Sequence, residues 1–242
     1  MPGRHLDRGL IRHGCMVAHP GPMAIGDRLP AGWCRRALAV DRHAEGTTVG
    51  VMVRLDTIST RTGDGGETGL CDGSRLAKDH ALIQAIGAVD EANAVLGLVR
   101  LEQLPADIAA ALPQVQNDLF DLGSDLATPP GTALEARIPR VLASQVERLD
   151  RWLAAGIGGL TPALSFVLPA GSRAATMLHL ARTVVRRGER DVVAAMHALP
   201  GRSFNPELMR YLNRLSDLCF VWSRLCNEGG RADVLWVPGA GR

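Results

Sequence analysis

The chain has 242 residues, 46% of them hydrophobic and 21% charged, which is enough apolar material to bury the core of one or two domains and excludes disorder throughout. Its 27 Lys and Arg against 25 Asp and Glu leave a net +2, too even for a protein that grips nucleic acid through a general basic field, so any bound anion must be met by a local cluster. No stretch approaches the roughly 20 apolar residues of a membrane helix and the N-terminus lacks the apolar run of a secretory signal, so a cytoplasmic protein without nucleic-acid or membrane partners is expected.

Residues 1–50 differ from the rest. They hold seven Arg, four acids, four His (His5, His13, His19, His43), many Gly and Pro and no Ser, with no sustained period of 3.6 or 2. The segment carries +3 and reads as a disordered leader or a mis-assigned start, with Met52 a natural alternative beginning. The working domain is expected over residues 51–238. The cysteines Cys15, Cys34, Cys71, Cys219 and Cys226 form no CxxC pair and no dense framework; they read as reduced thiols, and no metal-ligand set is expected.

A short β-leaning piece, Val51 to Ser59, leads into a turn-rich loop, Thr60 to Arg75 (TRTGDGGETGLCDGSR). Glycines let backbone N–H groups line up on an anion, and Thr60, Thr62 and Thr68 add hydroxyls, but such loops are also plain flexible turns. Of the 27 basic residues only Lys78 is lysine, and it stands at the expected start of the first helix. A point charge on a flexible stem suits a polyphosphate oxygen.

Everything beyond the loop reads helical, in five segments. The first runs from about Asp79 to Glu102, with Asp90 and Glu91 mid-helix. The second is expected from Pro113, in its first turn, to Leu126, on Val115, Leu119, Leu122 and Leu126. The third spans about Pro139 to Ala155, and a Gly/Pro-rich link, Gly156 to Gly171, breaks the pattern. The fourth, about Ser172 to Ala198, carries Arg182, Arg186 and Arg190 along one side with Glu189 among them, bordering an apolar face of Leu178, Val185, Val192 and Met196; Arg173 and Arg187 point the other way. The arc is either a solvated basic face or a ligand clamp, because arginines against a core edge must be paired or hold a ligand. The fifth, about Pro206 to Glu228, sets Leu208, Leu212, Leu215, Cys219, Trp222 and Cys226 at alternating spacings of four and three, a seam for bundle packing, opposite a polar stripe of Arg210, Asn213 and Asp217. The fold class is therefore all-α, a five-helix bundle preceded by a Gly-rich loop. Phe166 in the link and Phe220 on the fifth helix read, from burial statistics alone, as core.

Taken in order, TRTGDGGETGL, RLAKDH, GAVDEANAVLGL, FVLPAGSRAATMLHLARTVVRRGER and YLNRLSDLCFV resemble the ATP:cob(I)alamin adenosyltransferases of the propanediol-utilisation type, from about Val53 to Trp236. The resemblance implies a homotrimer with an active site at each subunit interface. ATP would be wrapped by Thr60, Arg61, Thr62, Gly63, Thr68 and Gly69 with Lys78 on the phosphates, and completed by Arg186, Arg187, Gly188, Glu189, Arg190 and Asn213 of the neighbour. Asp90 would pair with Arg186 across the interface, Phe166 would displace the lower base of cobalamin, and Phe220 would line the corrin pocket. It also implies Mg²⁺ with the ATP, a reductase such as a flavoprotein, and an adenosylcobalamin-dependent enzyme as product acceptor. Gly188, Ala170 and Ala92 depart from residues common in that family (alanine, glycine and leucine). The competing readings are a non-catalytic bundle that binds ATP or a corrinoid as sensor or carrier, and a purely structural trimer.

Overall fold

The computed structural model describes residues 59, 61–133 and 135–241. The leader, most of the β-leaning piece, Thr60, Cys15 and Cys34 lie outside the described residues. A hairpin of β1 (Glu67–Gly69) and β2 (Arg75–Ala77) comes first, with Thr68 opposite Leu76. Five helices follow: α1 (Ala81–Val99), α2 (Ala106–Ala127), α3 (Ala143–Gly158), α4 (Arg173–Ala198) and α5 (Glu207–Leu225), then a 3₁₀ turn at Glu228–Gly230. The all-α reading holds.

The α5 seam is buried from Leu208 to Trp222, with Cys226 half-buried at its end. The second helix starts seven residues earlier than its Pro113 suggested. Ile108 and Leu112 are buried ahead of Val115, Leu119, Leu122 and Leu126, so α2 repeats the four-three spacing of α5. That continuous seam, each buried Leu contributing about 1.5–3 kcal/mol, overrides a proline in the helix interior, and Pro105 takes the N-terminal place instead. Lys78 likewise stands ahead of its helix: His80 is the N-cap of α1, its Nδ1 accepting the Leu82 N–H at 3.1 Å.

α1 is long and apolar enough to cross a membrane by length and composition, contrary to the sequence expectation. Its apolar residues are instead placed inside the bundle, Leu82, Val89, Leu96 and Val99 all being buried. α1 runs antiparallel to α4, as the pairs Glu102–Arg173, Glu91–Arg187 and the approach of Gly188 to Ala88 require. The tie between α2, α3 and α5 is polar: buried Asp118 accepts from Gln145 Nε2 at 2.8 Å, from the Tyr211 hydroxyl at 2.7 Å and from Arg148. Burial, then Asp118, holds the Tyr211 hydroxyl well above its usual pKa, so it stays a donor.

Candidate active site

The hairpin closes the Gly-rich loop on itself. The Asp72-Gly73 turn, with Gly73 at φ +84°, joins the two strands, and Arg75 donates from Nη2 to the Thr62 carbonyl at 2.9 Å while its Nε meets Glu67 at 3.1 Å. The Lys78 N–H donates to the Gly66 carbonyl at 2.8 Å. Lys78 therefore lies over Gly63: a Cβ added there would sit 3.2 Å from Nζ, a tight contact that the exposed lysine would have to yield to by a few tenths of an ångström. The N–H groups of Gly63 and Gly65 have no partner among the described residues, and Arg61 (φ +55°) and Lys78 are exposed beside them. Free backbone donors under a lone lysine form an anion cradle. Thr68 and Gly69, on β1, are half-buried at its back.

The arginine arc lies elsewhere. Arg182 and Arg186 line a cleft of about 720 Å³ walled by α3, Leu160–Pro162, α4 and α5. Leu153, Ile157, Phe220 and Val221 make its apolar side, and Asp217 joins the arginines on its polar one. Phe220 is thus half-buried at a cavity and not in the core, its ring meeting the buried His179 edge-on at 6.0 Å. Phe166 departs further from the burial expectation, being 78% exposed. Arg190 is exposed and donates to the Arg186 carbonyl at 2.9 Å. Glu189 accepts from Asn213 Nδ2 at 3.2 Å, and Asn213 accepts from Arg214 at 2.9 Å, so the amide is oriented by two neighbours. Arg187 and Arg173 do turn away, pairing with Glu91 and Glu102 on α1.

Asp90 and the Arg186 side chain are both exposed and make no ion pair with each other or with any other described residue. Nor does one chain bring Lys78 to the arc. With α1 and α4 antiparallel, Arg186 is level with Asp90, and the start of α1 lies roughly 13 Å further along the bundle. The anion cradle and the arginine cleft therefore occupy different levels of the same subunit.

Sequence reasoning missed three contributors. Asp72-Gly73 is a readable hairpin signal within the stretch Thr60 to Arg75, which reads as one turn-rich loop. Arg224, which no sequence pattern singled out, is buried, donating to Asp233 and to the Thr161 carbonyl, both at 2.6 Å. The tail Val234–Trp236 gave no signal at all, since its partners on the link, Phe166 to Leu168, lie some 70 positions back in the chain.

These features define a helical bundle with an anion cradle at one end and a mixed apolar and basic cleft along its side. Residues 58–226 match the model of the cobalamin adenosyltransferase family. A cobalamin adenosyltransferase of Cupriavidus metallidurans is 49% identical over 185 residues, 76% of this chain and 95% of that one. A corrinoid adenosyltransferase of Mycobacterium bovis is 48% identical over 194 residues, 79% of this chain and 98% of the other. Among solved structures, a single-residue variant of a PduO-type ATP:corrinoid adenosyltransferase from Lactobacillus reuteri, complexed with cobalamin and ATP, superimposes with TM-score 0.67 at 29% identity, covering 74% of this chain and 99% of that one. The chain belongs to the cobalamin adenosyltransferase family. It is an enzyme, a corrinoid adenosyltransferase, and the sensor or carrier reading finds no support among these relatives.

Proposed function

We propose that each active site is shared by two copies of this chain in a homotrimer, the hairpin of one subunit holding the triphosphate of ATP against the arginine arc of the next. The observation that carries this is the separation within one chain of Lys78 from Arg186, each exposed and without an ionic partner among the described residues. A second copy supplies the missing half, and Asp90 meets Arg186 across the contact. Thr60, Arg61, Thr62, Gly63, Thr68, Gly69 and Lys78 are the cradle; Arg186, Glu189, Arg190 and Asn213 complete the nucleotide site, while Arg187, paired with Glu91, and Gly188, buried against Ala88, hold that turn of α4 in place.

The corrin ring fits the cleft, whose apolar side takes the flat macrocycle and whose arginines and Asp217 meet its amide arms. Cob(I)alamin attacks the 5′ carbon of ATP in line: the cobalt electron pair forms the Co–C bond, the C5′–O bond breaks, and triphosphate leaves with that bond's electrons. The protein's part is orientation and stabilisation of the leaving anion by Lys78, Arg186 and Arg190. No three His, Cys, Asp or Glu side chains converge among the described residues, so Mg²⁺ fits as an ion carried on the phosphates and not in a protein cage. Bound there it neutralises charge on the triphosphate. Phe166, exposed on the link beside the cleft, fills the lower face of the corrinoid, excludes an axial ligand and so raises the potential for reduction of Co(II) by a flavoprotein or similar donor.

We further place the enzyme in the cytoplasm, with residues 51–238 as the catalytic unit and an adenosylcobalamin-dependent enzyme as recipient of the product. The test of the shared site is complementation. Lys78→Ala and Arg186→Ala are each expected to be inactive with chemically reduced cobalamin and MgATP, scored by loss of the Co(I) spectrum and release of triphosphate. Mixed trimers regain activity, because some interfaces pair two intact halves. Mixtures as inactive as their parents would overturn the shared site.

A further inference from the structure

We infer that the tail Asp233–Trp236 is a positioning element of the active site, a strap in which Trp236 orients Phe166. This rests on the role assigned above to Phe166 and extends it to residues beyond the 58–226 stretch that matches the family.

The link from Leu160 to Gly171 has no helix to hold it, so its backbone bonds must go elsewhere. They go to the end of the chain. Thr161 donates to the Gly229 carbonyl at 2.9 Å, Leu168 to Val234 at 2.8 Å, and the Trp236 N–H donates to the Phe166 carbonyl at 2.7 Å. Val167 and Leu235 form an antiparallel bridge between these bonds. Ser165 Oγ closes the pattern on the Trp236 carbonyl at 2.8 Å. Phe166 is thus bonded through its carbonyl to Trp236 and flanked on both sides by further bonds to the strap. The two rings also touch, with centroids 5.9 Å apart and planes at 59°, and no other ring contacts Phe166 among the described residues.

The strap itself is anchored in the interior. Asp233 accepts from Arg224 Nε at 2.6 Å, the two side chains being only 2% and 8% exposed, and it also accepts from the buried Asn227 at 3.3 Å. A charged pair this deep is costly unless its geometry is fixed, and here it fixes where the tail turns back over the link. Trp236 remains 44% exposed, so its indole is not core material. Its one ring partner among the described residues is the phenyl group to which the proposed function assigns the Co(II) to Co(I) step. An unsupported phenyl on an exposed link would rotate among its side-chain rotamers, and the tilted indole limits that freedom.

The strap carries its own test, because Trp236→Ala removes the ring and leaves the backbone ladder intact. Turnover is measured by two routes: with cobalamin fully reduced beforehand to Co(I), and with Co(II) cobalamin reduced in the site by a flavin-type one-electron donor. The expected result is a loss of roughly 10- to 100-fold by the second route only, with unchanged KM for ATP, unchanged Tm and recovery in Trp236→Phe. The absorption of four-coordinate Co(II) in the complex with ATP falls in parallel. Phe166→Ala is assayed alongside, and the double variant is no worse than Phe166→Ala alone because the two rings act as one unit. If Phe166→Ala loses the Co(II) route and Trp236→Ala does not, the strap inference fails while the role of Phe166 stands. If neither variant differs from the parent enzyme, the Phe166 reading fails and takes the strap with it. An equal loss by both routes with a higher KM for cobalamin makes Trp236 a piece of the corrin surface and overturns its positioning role.

Discussion

The hairpin at residues 61–78 and the strapped link at residues 160–172 are both non-helical segments at the edge of a helical bundle, and they treat their polar groups in opposite ways. The hairpin keeps Lys78 and Arg61 exposed and leaves the N–H groups of Gly63 and Gly65 without a partner among the described residues, holding its shape with backbone bonds and Arg75. The link is tied down from beneath, Arg224 donating to the Thr161 carbonyl and Asn227 bonding Ala170 and Ser172, with Asp233 holding both of those side chains, and it turns the Phe166 ring outward. In the function proposed above, one segment offers donors to a polyanion and the other a dry surface to a macrocycle. On that proposal, binding is divided by chemistry between ends of the bundle, and each end is expected to be damaged without the other.

The largest effect belongs to the hairpin. Lys78→Ala is expected to lower kcat/KM for ATP by about 10²–10³-fold, the range for losing one preorganised charge donor. Lys78 is exposed, so Tm stays within about 0.5 kcal/mol of the parent in stability terms. Steady-state kinetics with ATP varied, beside a thermal melt, checks both halves. A large drop in Tm would show that the hairpin is held by its lysine, and the contrast with the link would collapse.

The converse damage comes from Gly171→Ala. Gly171 has φ +101°, and a Cβ there would lie 2.4 Å from the Asn227 amide, which accepts the Ser172 N–H at 2.9 Å and donates to the Ala170 carbonyl at 3.1 Å. Strain and a lost buried hydrogen bond together cost about 2–3 kcal/mol. Denaturant unfolding should show that loss, while ATP binding by the folded fraction is unchanged. Weakened ATP binding in that fraction would mean that the two ends are coupled.

How far the sequence speaks follows the same division. The helices were legible because their seams recur at short range: Leu208, Leu212 and Leu215 announce α5 by spacing alone. The hairpin was half legible, since Lys78 stood out as the single lysine but nothing local told that it folds back over Gly63. Pro113 misled because a proline is a stronger local signal than the Ile108–Leu112 spacing that overrides it. The strap was illegible, because Trp236 and Phe166 meet through a ladder between distant segments with no period to betray it. Arg186 stood out in the arginine arc, but its pairing with Asp90 could be proposed only through the family resemblance, as neither finds an ionic partner among the described residues.

A smaller effect, read as a slope in pH, probes the floor of the link. His179 is buried beside Phe220, with neither ring nitrogen bonded among the described residues. Burial, then Arg182, holds its pKa below the ordinary 6.5, with Asp233 opposing. The folded state thus resists protonation that the unfolded chain accepts near 6.5. The neutral imidazole's contribution is complete above that value and is lost as pH falls from 6.5 toward the lower folded pKa. Urea unfolding from about pH 8 to pH 5 should show this decline in the parent and a shallower one in His179→Leu. An unchanged slope would assign the decline to other groups.

The smallest change sharpens the comparison from outside both ends. Gly188 sits buried on α4 against Ala88, between the levels of the cradle and the cleft. A Cβ added there meets the Ala88 carbonyl carbon, oxygen and Cβ at 3.7–3.8 Å, ordinary contact, and its φ is not one that favours glycine. Within one chain nothing requires glycine, so Gly188→Ala should stabilise by about 0.5–1 kcal/mol through helix propensity, a rise of a few degrees in Tm for a domain of this size. Activity then decides what the residue is for. A higher Tm with unchanged turnover marks Gly188 as a neutral departure from its relatives. A higher Tm with weakened ATP binding means that the added methyl obstructs the neighbouring copy or its nucleotide, because the single chain has room for it.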